Sequence, residues 1–153
     1  YFQSYRYWEN IMPEIKRSLS PRVDCCKIDK VGVHVRRGDY LIHDGCYEIL
    51  DIDYYKRAMM SFKDVGFLIF SDDIEFCRGM FAGMDVEFSD TIDPVEDLAK
   101  MRDCSGLIMA NSSFSWWGGM LNSGAVVAPK RWFGPKLQHF NIRDLIYPTW
   151  VQV

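Results

Sequence analysis

The sequence predicts an α/β fold in which helices cover both faces of a parallel β-sheet. Short, nearly continuous apolar runs alternate along the chain with longer amphipathic segments. Strands buried on both faces have this continuous apolar character, and helical crossovers join strands that run parallel. The 153 residues are 48% apolar and 15% aromatic, which is enough for one domain with a substantial core.

The predicted strands are bounded by polar or turn-forming residues. They cover residues 31–35, 65–70, 86–88, 106–110 and 125–128, and the last of these is the final strand of the prediction. Residues 36–50 are left as a loop that is longer than most connections, and long loops in compact domains are commonly functional.

Helix signals fill the segments between the strands. Ser4 suits the N-cap of a first helix, which Pro13 should kink or break. Asp53 suits the N-cap of a second helix. Further helices are predicted after Asp72-Asp73, which suits a cap, and after residues 111–113.

Asp93, Pro94 and Glu96 agree on the start of one more helix. Asp93 suits the N-cap, Pro94 the first helical position, and Glu96 the third position, where it would close a capping box. The buried face of this helix is predicted to carry Val95, Leu98 and Met101.

Composition excludes several classes of function. The net charge of -3 gives no electrostatic support for general nucleic-acid binding. The sequence has no apolar run long enough to span a membrane and no signal-peptide pattern. The five cysteines are irregularly spaced and form no CxxC pair, so free thiols in a reducing compartment are predicted and a metal site is not.

Polar clusters follow the predicted strands. They are Arg36-Arg37, Ser71-Asp72-Asp73, Phe88-Ser89-Asp90 and Asn111-Ser112-Ser113. In parallel α/β sheets, ligands bind beyond the carboxyl ends of the strands. The clusters are therefore predicted to share one crevice.

The arginine pair and the last two serines have the chemistry to bind a phosphate. The sequence has neither GxGxxG nor GxxxxGK[ST], so an arginine and a helix N-terminus are the available devices. The guanidinium of Arg36 or Arg37 can bind a diphosphate through two parallel hydrogen bonds. Ser112 and Ser113 lie where the next helix presents free N–H groups and partial positive charge. The alternatives are a surface ion pair for the arginines and simple N-capping for the serines.

Some other motifs have competing interpretations. Asp51-Ile52-Asp53 matches a DxD metal motif, although Asp53 is explained as a helix cap. Asn111-Ser112-Ser113 fits a glycosylation sequon, but a strand end facing a crevice is a poor acceptor. Arg37-Gly38-Asp39 matches the integrin tripeptide, for which chance is the simpler explanation. Trp116-Trp117-Gly118-Gly119 suits either a platform for a sugar or a helix packed closely on the sheet.

Several segments, taken in order, resemble α-1,2-fucosyltransferases of glycosyltransferase family 11. The most specific are HVRRGDY at residues 34–40 and NSSFSWW at residues 111–117. FSDD at 70–73, DL at 97–98, VAPKRWF at 127–133 and IYP at 146–148 also match, so the resemblance covers nearly the whole chain.

The resemblance implies a Rossmann-like domain that forms the donor-binding half of a GT-B glycosyltransferase. Residues 1–22 would be a leading helix and interdomain segment, and residues 23–153 the domain that binds GDP-fucose. The amino-terminal acceptor domain is expected to lie upstream of this sequence. Family members carry a Tyr-aromatic-Gln-Ser segment ahead of this domain, so residues 1–4 are expected to be native rather than a tag remnant.

The resemblance also implies how the donor is held. His34 and Asp97 would recognise guanine, Arg36 would bind the β-phosphate, and Ser112 and Ser113 would hold the diphosphate. Without the resemblance, His34 suits a core position and Asp97 a first-turn acid that the helix dipole stabilises. The predicted GDP-fucose ligands are His34, Arg36, Arg37, Asp97, Asn111, Ser112 and Ser113.

The reaction implied is inverting transfer of L-fucose from GDP-fucose to the 2-hydroxyl of a glycan, with terminal β-galactose expected. Arg36 would stabilise the charge that grows on the β-phosphate, and neither a metal nor another cofactor is expected. Asp39 and Asp44 are candidates for the base that takes the acceptor proton, a base that could equally lie in the acceptor domain. The predicted catalytic residues are Arg36, Asp39 and Asp44.

Alternatives remain open on sequence alone. The chain could be a protein O-fucosyltransferase, although the Trp116-Trp117 form of the motif favours the glycan-modifying group. It could bind GDP or GDP-fucose without catalysing transfer, or present residues 37–39 to an integrin. The expected partners are GDP-fucose and an oligosaccharide acceptor, with self-association through an exposed domain interface. A bacterial cytoplasmic location is preferred from the free thiols, and a Golgi membrane location would need an anchor upstream.

Overall fold

The computed structural model describes residues 4–19, 26–43 and 45–153, and within them six parallel strands form one sheet. The order across the sheet is β3-β2-β1-β4-β5-β6, and every neighbouring pair is parallel. The strands are β1 (Ile28–Val35), β2 (Gly66–Ser71), β3 (Glu87–Phe88), β4 (Cys104–Ile108), β5 (Ala125–Ala128) and β6 (Val151–Gln152).

Helices precede the sheet and connect most of its strands. Short 3₁₀ turns lie at Tyr5–Tyr7 and Asp39–Leu41. The α-helices of the described residues are α1 (Met12–Leu19), α2 (Ile52–Met59), α3 (Ile74–Met80), α4 (Pro94–Asp103) and α5 (Ser113–Leu121).

The strand order changes direction between β1 and β4. From β1 the chain proceeds outwards to β2 and β3, and it then returns to place β4, β5 and β6 on the other side. This is the doubly wound arrangement of Rossmann-like domains, which opens a crevice beyond the carboxyl ends of the two strands at the reversal. The predicted fold class, an α/β Rossmann-like parallel sheet, is confirmed.

One face of the sheet packs against α2 and α3. Tyr55 of α2 and Cys77 of α3 are fully buried in this layer. Alternate residues of a strand point to opposite faces, so β1 contributes every second residue to it. These residues are Val31, Val33 and Val35, all of them buried.

The opposite face packs against α4 and α5. Met101 of α4, Leu107 of β4 and Trp116 of α5 are fully buried there. Gly32 of β1 points to this face, where a Cβ would lie 3.0 Å from Leu107 Cδ1 and 3.1 Å from Phe70 Cε2. The close approach of these side chains leaves no room for a larger residue at position 32.

The helix-packing interpretation of residues 116–119 is confirmed. Trp116 is buried and its indole N–H donates to the carbonyl of Leu145 at 2.6 Å. A Cβ at Gly119 would lie 2.9 Å from the sulfur of Met109. Neither tryptophan lines the cavity described below, so no contact found there supports the interpretation as a sugar platform.

The cap of α2 differs from the prediction. Asp51 is the N-cap, and its carboxylate accepts a hydrogen bond from the N–H of Tyr54 at 2.9 Å. Asp53 therefore lies in the first turn. Two aspartates spaced by one residue carry the same capping signal, and the extended backbone at Asp51 decides between them.

The start of α4 is confirmed at Asp93 and Pro94, but its side chains are arranged differently. Glu96 accepts a hydrogen bond from the hydroxyl of Thr91 at 2.7 Å instead of closing a capping box. Thr91 supplies an O–H donor just ahead of the cap, which satisfies the Glu96 carboxylate. Val95 is 51% exposed rather than buried, because the helix turns its first residues towards solvent.

The two ends of the chain add further differences. β6 was not predicted, because its two residues, Val151 and Gln152, are both exposed and do not belong to an apolar run. The side chain of Ser4 makes no cap hydrogen bond. Pro13 lies in the first turn of α1, and the predicted break precedes it.

In the described ranges, no helix has the length and apolarity needed to span a membrane. The same residues contain no group of His, Cys, Asp or Glu placed to hold a metal ion. Cys26, Cys46, Cys77 and Cys104 are free thiols. Cys25 and the predicted domain boundary between residues 22 and 23 lie outside the described residues.

Candidate functional site

A cavity of about 700 Å³ lies at the carboxyl ends of the strands. Its lining runs from the loop after β3, past the ends of β2, β1 and β4, to the loop after β5. The predicted crevice is therefore present at the reversal of the strand order. The predicted site residues that line it are His34, Arg36, Asp39, Asp97, Asn111, Ser112 and Ser113.

Arg36 follows β1 directly and lies at the centre of this lining. Its Nε donates a hydrogen bond to Asp39 Oδ1 at 2.9 Å. Its Nη1 lies 3.2 Å from Asp72 Oδ2. The side chain keeps 31% of its surface exposed, so part of the guanidinium remains free to bind a ligand.

Asp72, at the end of β2, holds the turn that follows Arg36. Its two carboxylate oxygens accept hydrogen bonds from the backbone N–H groups of Arg37 at 3.0 Å and Gly38 at 2.9 Å. A Cβ at Gly38 would lie 2.7 Å from Asp72 Oδ2, which explains the glycine. The cap interpretation is confirmed for Asp73, which accepts from a helix N–H, but wrong for Asp72.

Arg37 points away from the cavity. Its Nε donates to Asp73 Oδ2 at 3.1 Å, and its guanidinium carbon lies 3.6 Å from the centroid of the Phe76 ring. Both contacts involve α3 or its cap, so the two neighbouring arginines have different surroundings. No contact in the structure supports Arg37 as a ligand of the predicted donor substrate. Its ion pair with Asp73 fits the alternative interpretation, a surface ion pair.

Of the two candidate general bases, Asp39 and Asp44, the structure describes only Asp39. Asp39 lines the cavity, and the hydrogen bond from Arg36 lowers the pKa of its carboxyl. A carboxylate with a lowered pKa is a weaker base. Asp44 lies outside the described residues.

The N-terminus of α5 is fixed by a pair of serine hydroxyls. Ser112 is the N-cap, and its Oγ accepts from the N–H of Ser115 at 3.0 Å. The Oγ of Ser115 in turn accepts from the N–H of Ala110 at 2.9 Å. Ser113 is the first helical residue and is exposed to the cavity. The first N–H groups of a helix lack acceptors within the helix, so this end can bind an anion.

The side-chain amide of Asn111 binds the backbone of two loops, so its protons are not available to a ligand. It is 1% exposed, and its Nδ2 donates to the carbonyls of Glu48 at 2.9 Å and Trp132 at 2.7 Å. Both amide protons are thus used, and the oxygen alone remains for a ligand. The expectation that Asn111 is a poor glycosylation acceptor agrees with this burial.

His34 is the second last residue of β1 and is 3% exposed. Burial first, and the charge of Arg36 second, lower the pKa of its imidazole to about 3. The ring packs at 5.4 Å from the ring of Phe114, and its Nδ1 is buried without a hydrogen-bond partner among the described residues. A neutral imidazole with an unsatisfied nitrogen lies in the wall of the cavity, and such atoms are rare in proteins without a functional reason.

Asp97 of α4 lies at one end of the cavity, beside Thr91, Ile92 and Pro94. The hydroxyl of Ser89 donates to Asp97 Oδ1 at 2.6 Å. Burial raises the pKa of this carboxyl. The prediction that Phe88-Ser89-Asp90 shares the crevice is wrong, since none of these residues lines the cavity and the Ser89 hydroxyl contacts only Asp97, which does.

The other end of the cavity carries aromatic side chains that the sequence analysis did not single out. Tyr40 stacks on Tyr47, with ring centroids 4.2 Å apart and planes at 10°. The hydroxyl of Tyr40 donates to the carbonyl of Asn111 at 2.5 Å. Trp132 and Phe133, from the loop after β5, complete this end. Phe133 and Tyr47 also form a backbone bridge, a long-range contact without a local sequence signal.

The comparison with known families agrees with this geometry. The sequence model of the family described as Glycosyl transferase family 11 matches residues 8–153. The chain belongs to glycosyl transferase family 11. The family 11 assignment confirms the resemblance drawn from residues 34–40 and 111–117.

Curated relatives of this family 11 chain come from bacteria and mammals. It is 34% identical over 152 residues to an alpha-1,2-colitosyltransferase of Escherichia coli, covering 90% of this chain and 51% of that protein. It is 30% identical over 146 residues to the O-antigen biosynthesis glycosyltransferase WbnK of Escherichia coli, covering 86% and 47%. It is 28% identical over 145 residues to galactoside alpha-(1,2)-fucosyltransferase 1 of Sus scrofa, covering 80% and 38%. The chain thus spans about half the length, or less, of these relatives.

Proposed function

We propose that residues 23–153 form the donor-binding domain of an α-1,2-fucosyltransferase and that GDP-fucose binds in the cavity at the strand reversal. Residues 1–22 then lead into this domain. The observation that carries the proposal is the meeting of Arg36 and the α5 N-terminus at the reversal between β1 and β4. A family 11 assignment and three relatives named as glycosyltransferases support the reaction class.

The diphosphate is held by directed hydrogen bonds. Arg36 presents the exposed part of its guanidinium from one side, and the N–H groups of Ser113 and the next residue point from the other. The hydroxyl of Ser112 accepts a bond within the helix cap and keeps its own proton for the ligand. An arginine and a helix N-terminus together replace the glycine-rich loop that other nucleotide sites use.

Guanine lies at the Asp97 end. A carboxylate can accept the two parallel N–H bonds that the Watson–Crick edge of guanine offers. In Asp97, Oδ1 has a second lone pair besides the one that accepts from Ser89, and Oδ2 can accept the other bond. His34 stays neutral in this wall and can accept or donate a single hydrogen bond. Ile92 and Pro94 give the base apolar contact.

The transfer step inverts the fucose anomeric centre in a single displacement. Negative charge grows on the β-phosphate as its oxygen leaves C1, and the Arg36 guanidinium binds that oxygen more strongly as the charge grows. A base takes the proton of the acceptor 2-hydroxyl, for which Asp39, Asp44 or an acceptor-domain residue remain the candidates. No metal is assigned a part in this step.

Arg36→Ala in the full natural chain tests this function. Transfer of fucose from GDP-fucose to a β-galactoside should fall by about two orders of magnitude or more, because the leaving diphosphate loses its cation. Arg78→Ala is the matched control, since Arg78 pairs with Glu75 on the surface of α3 and does not line the cavity. Near-normal turnover of Arg36→Ala would contradict the proposal.

The same assay separates the neighbouring possibilities. EDTA should leave transfer unchanged, and loss that Mg²⁺ or Mn²⁺ restores would assign the diphosphate to a metal. Folded protein domains offered in place of β-galactosides test the protein O-fucosyltransferase alternative. Because one relative is named a colitosyltransferase, GDP-colitose should be compared with GDP-fucose as donor.

A further inference from the structure

Four aromatic side chains form one wall of the cavity, at the end opposite Asp97. We call this set the aromatic wall. Tyr40 and Tyr47 come from the segment after β1, and Trp132 and Phe133 from the loop after β5. Since β3 and β5 lie on opposite sides of the β1–β4 pair, the Asp97 end and the aromatic wall lie on opposite sides of Arg36.

The aromatic wall is held in place from behind. Tyr40 and Trp132 are 6% and 3% exposed, and both are tied to Asn111, Tyr40 through its hydroxyl and Trp132 through its carbonyl. Tyr47 stacks on Tyr40, and its ring centroid lies 6.4 Å from that of Phe133. Tyr47 and Phe133 are only partly buried, so they form the surface that a ligand would touch.

The position of the wall relative to Arg36 determines which part of a nucleotide sugar can reach it. If the diphosphate lies on Arg36 and α5, and guanine lies on Asp97, the remaining portion of the donor extends towards Tyr47 and Phe133. This step rests on the proposed function. We propose that the aromatic wall binds the sugar of the donor, with Tyr47 and Phe133 stacking on its apolar face.

The chemistry of a 6-deoxy sugar of galacto configuration suits this surface. Its C3, C4 and C5 hydrogens lie on one face of the ring, and the C6 methyl group extends the apolar area. Rigid aromatic rings bury such a face with little loss of side-chain freedom. The remaining hydroxyls of the sugar would face Arg36 and Asp39, polar side chains that line the same cavity.

Calorimetry with two ligands tests this assignment on the full natural chain. Tyr47→Leu and Phe133→Leu should each weaken GDP-fucose binding by about tenfold, the effect of losing good contact with hydrocarbon in an apolar pocket. Their affinity for GDP, which lacks the sugar, should stay within about twofold of the wild type. Tyr47→Phe keeps the ring and should bind both ligands normally. Tyr7→Leu, on an exposed aromatic residue that does not line the cavity, is the matched control.

The outcomes separate the wall from the proposed function. If Tyr47→Leu weakened the binding of GDP and of GDP-fucose equally, the wall would contact the guanosine diphosphate portion of the donor. That result would overturn the sugar assignment. Unchanged affinity for both ligands in both leucine variants would overturn it as well, while GDP binding by the wild type would still support the proposed function. A wild-type chain that binds neither ligand would overturn both.

Discussion

Asp39→Asn distinguishes two roles for the carboxylate beside Arg36. Asp39 accepts a hydrogen bond from Arg36 Nε at 2.9 Å, and this bond lowers the pKa of its carboxyl. A general base works best with a pKa near the working pH, so a carboxyl with a lowered pKa is poorly matched to that task. We therefore expect Asp39 to hold Arg36 in place until the diphosphate binds, rather than to take the acceptor proton.

The structure sets the size of each effect. The Arg36 and Asp39 side chains are 31% and 47% exposed, so their ion pair is screened and is worth about 0.5 kcal/mol. Removing the carboxylate frees Arg36 for the diphosphate and should tighten GDP binding by about twofold. Removal of a general base would instead lower kcat by about two to four orders of magnitude. The two roles therefore predict clearly different results.

The assay combines calorimetry with turnover on the full natural chain. The Kd for GDP and kcat at saturating GDP-fucose and acceptor are measured for the wild type and for Asp39→Asn. Asp90→Asn is the control, because Asp90 also pairs with a cation, Lys100, but does not line the cavity. A fall in kcat of about a hundredfold with an unchanged Kd for GDP would refute this reasoning and assign the base to Asp39.

Two further substitutions test residues that shape the wall of the cavity and the turn after β1. His34→Gln should remove part of the acid sensitivity of folding, because the folded chain keeps His34 neutral down to about pH 3 while the unfolded chain takes up a proton below its ordinary pKa of about 6.5. The His34 side chain should therefore cost the wild type stability as the pH falls below about 6.5, about 2 kcal/mol at pH 5. If the urea midpoint shifted by the same amount in both proteins between about pH 7 and pH 5, this prediction would be contradicted. Gly38→Ala should cost about 1–3 kcal/mol of stability and weaken GDP binding, since its Cβ would displace Asp72; an unchanged melting temperature and Kd would show that the turn tolerates the methyl group.

The sequence was sufficient for features that depend on local pattern. Apolar runs located β1, β2, β4 and β5, and the alternation with helices predicted a parallel sheet. Because the carboxyl ends of parallel strands meet at one edge, the gathering of Arg36, Asp97 and Ser112 around a single cavity followed from the fold class together with the family resemblance.

Features that depend on distant contacts could not be predicted in this way. Asp72 and Asp73 carry the same capping signal in the sequence. Asp72 instead accepts a hydrogen bond from the N–H of Gly38, 34 residues away in the turn after β1, and only the folded structure places that turn beside it. Asn111 bonds to carbonyls 63 and 21 residues away. The aromatic wall is likewise assembled from segments joined by the bridge between Tyr47 and Phe133. These roles are properties of the assembled sheet edge.

The charges around the cavity affect how an anionic diphosphate would bind there. Among the described residues that line it, Arg36 is the single cationic side chain, and Asp39, Asp72 and Asp97 are acidic. Net charge therefore disfavours an anionic diphosphate, and its binding must rest on directed hydrogen bonds from Arg36 and α5. Asp39 accepts a hydrogen bond from Arg36 and directly precedes Tyr40 of the aromatic wall. Its negative charge would repel a ground-state diphosphate bound on Arg36, which is why Asp39→Asn is expected to tighten GDP binding and not to lower kcat.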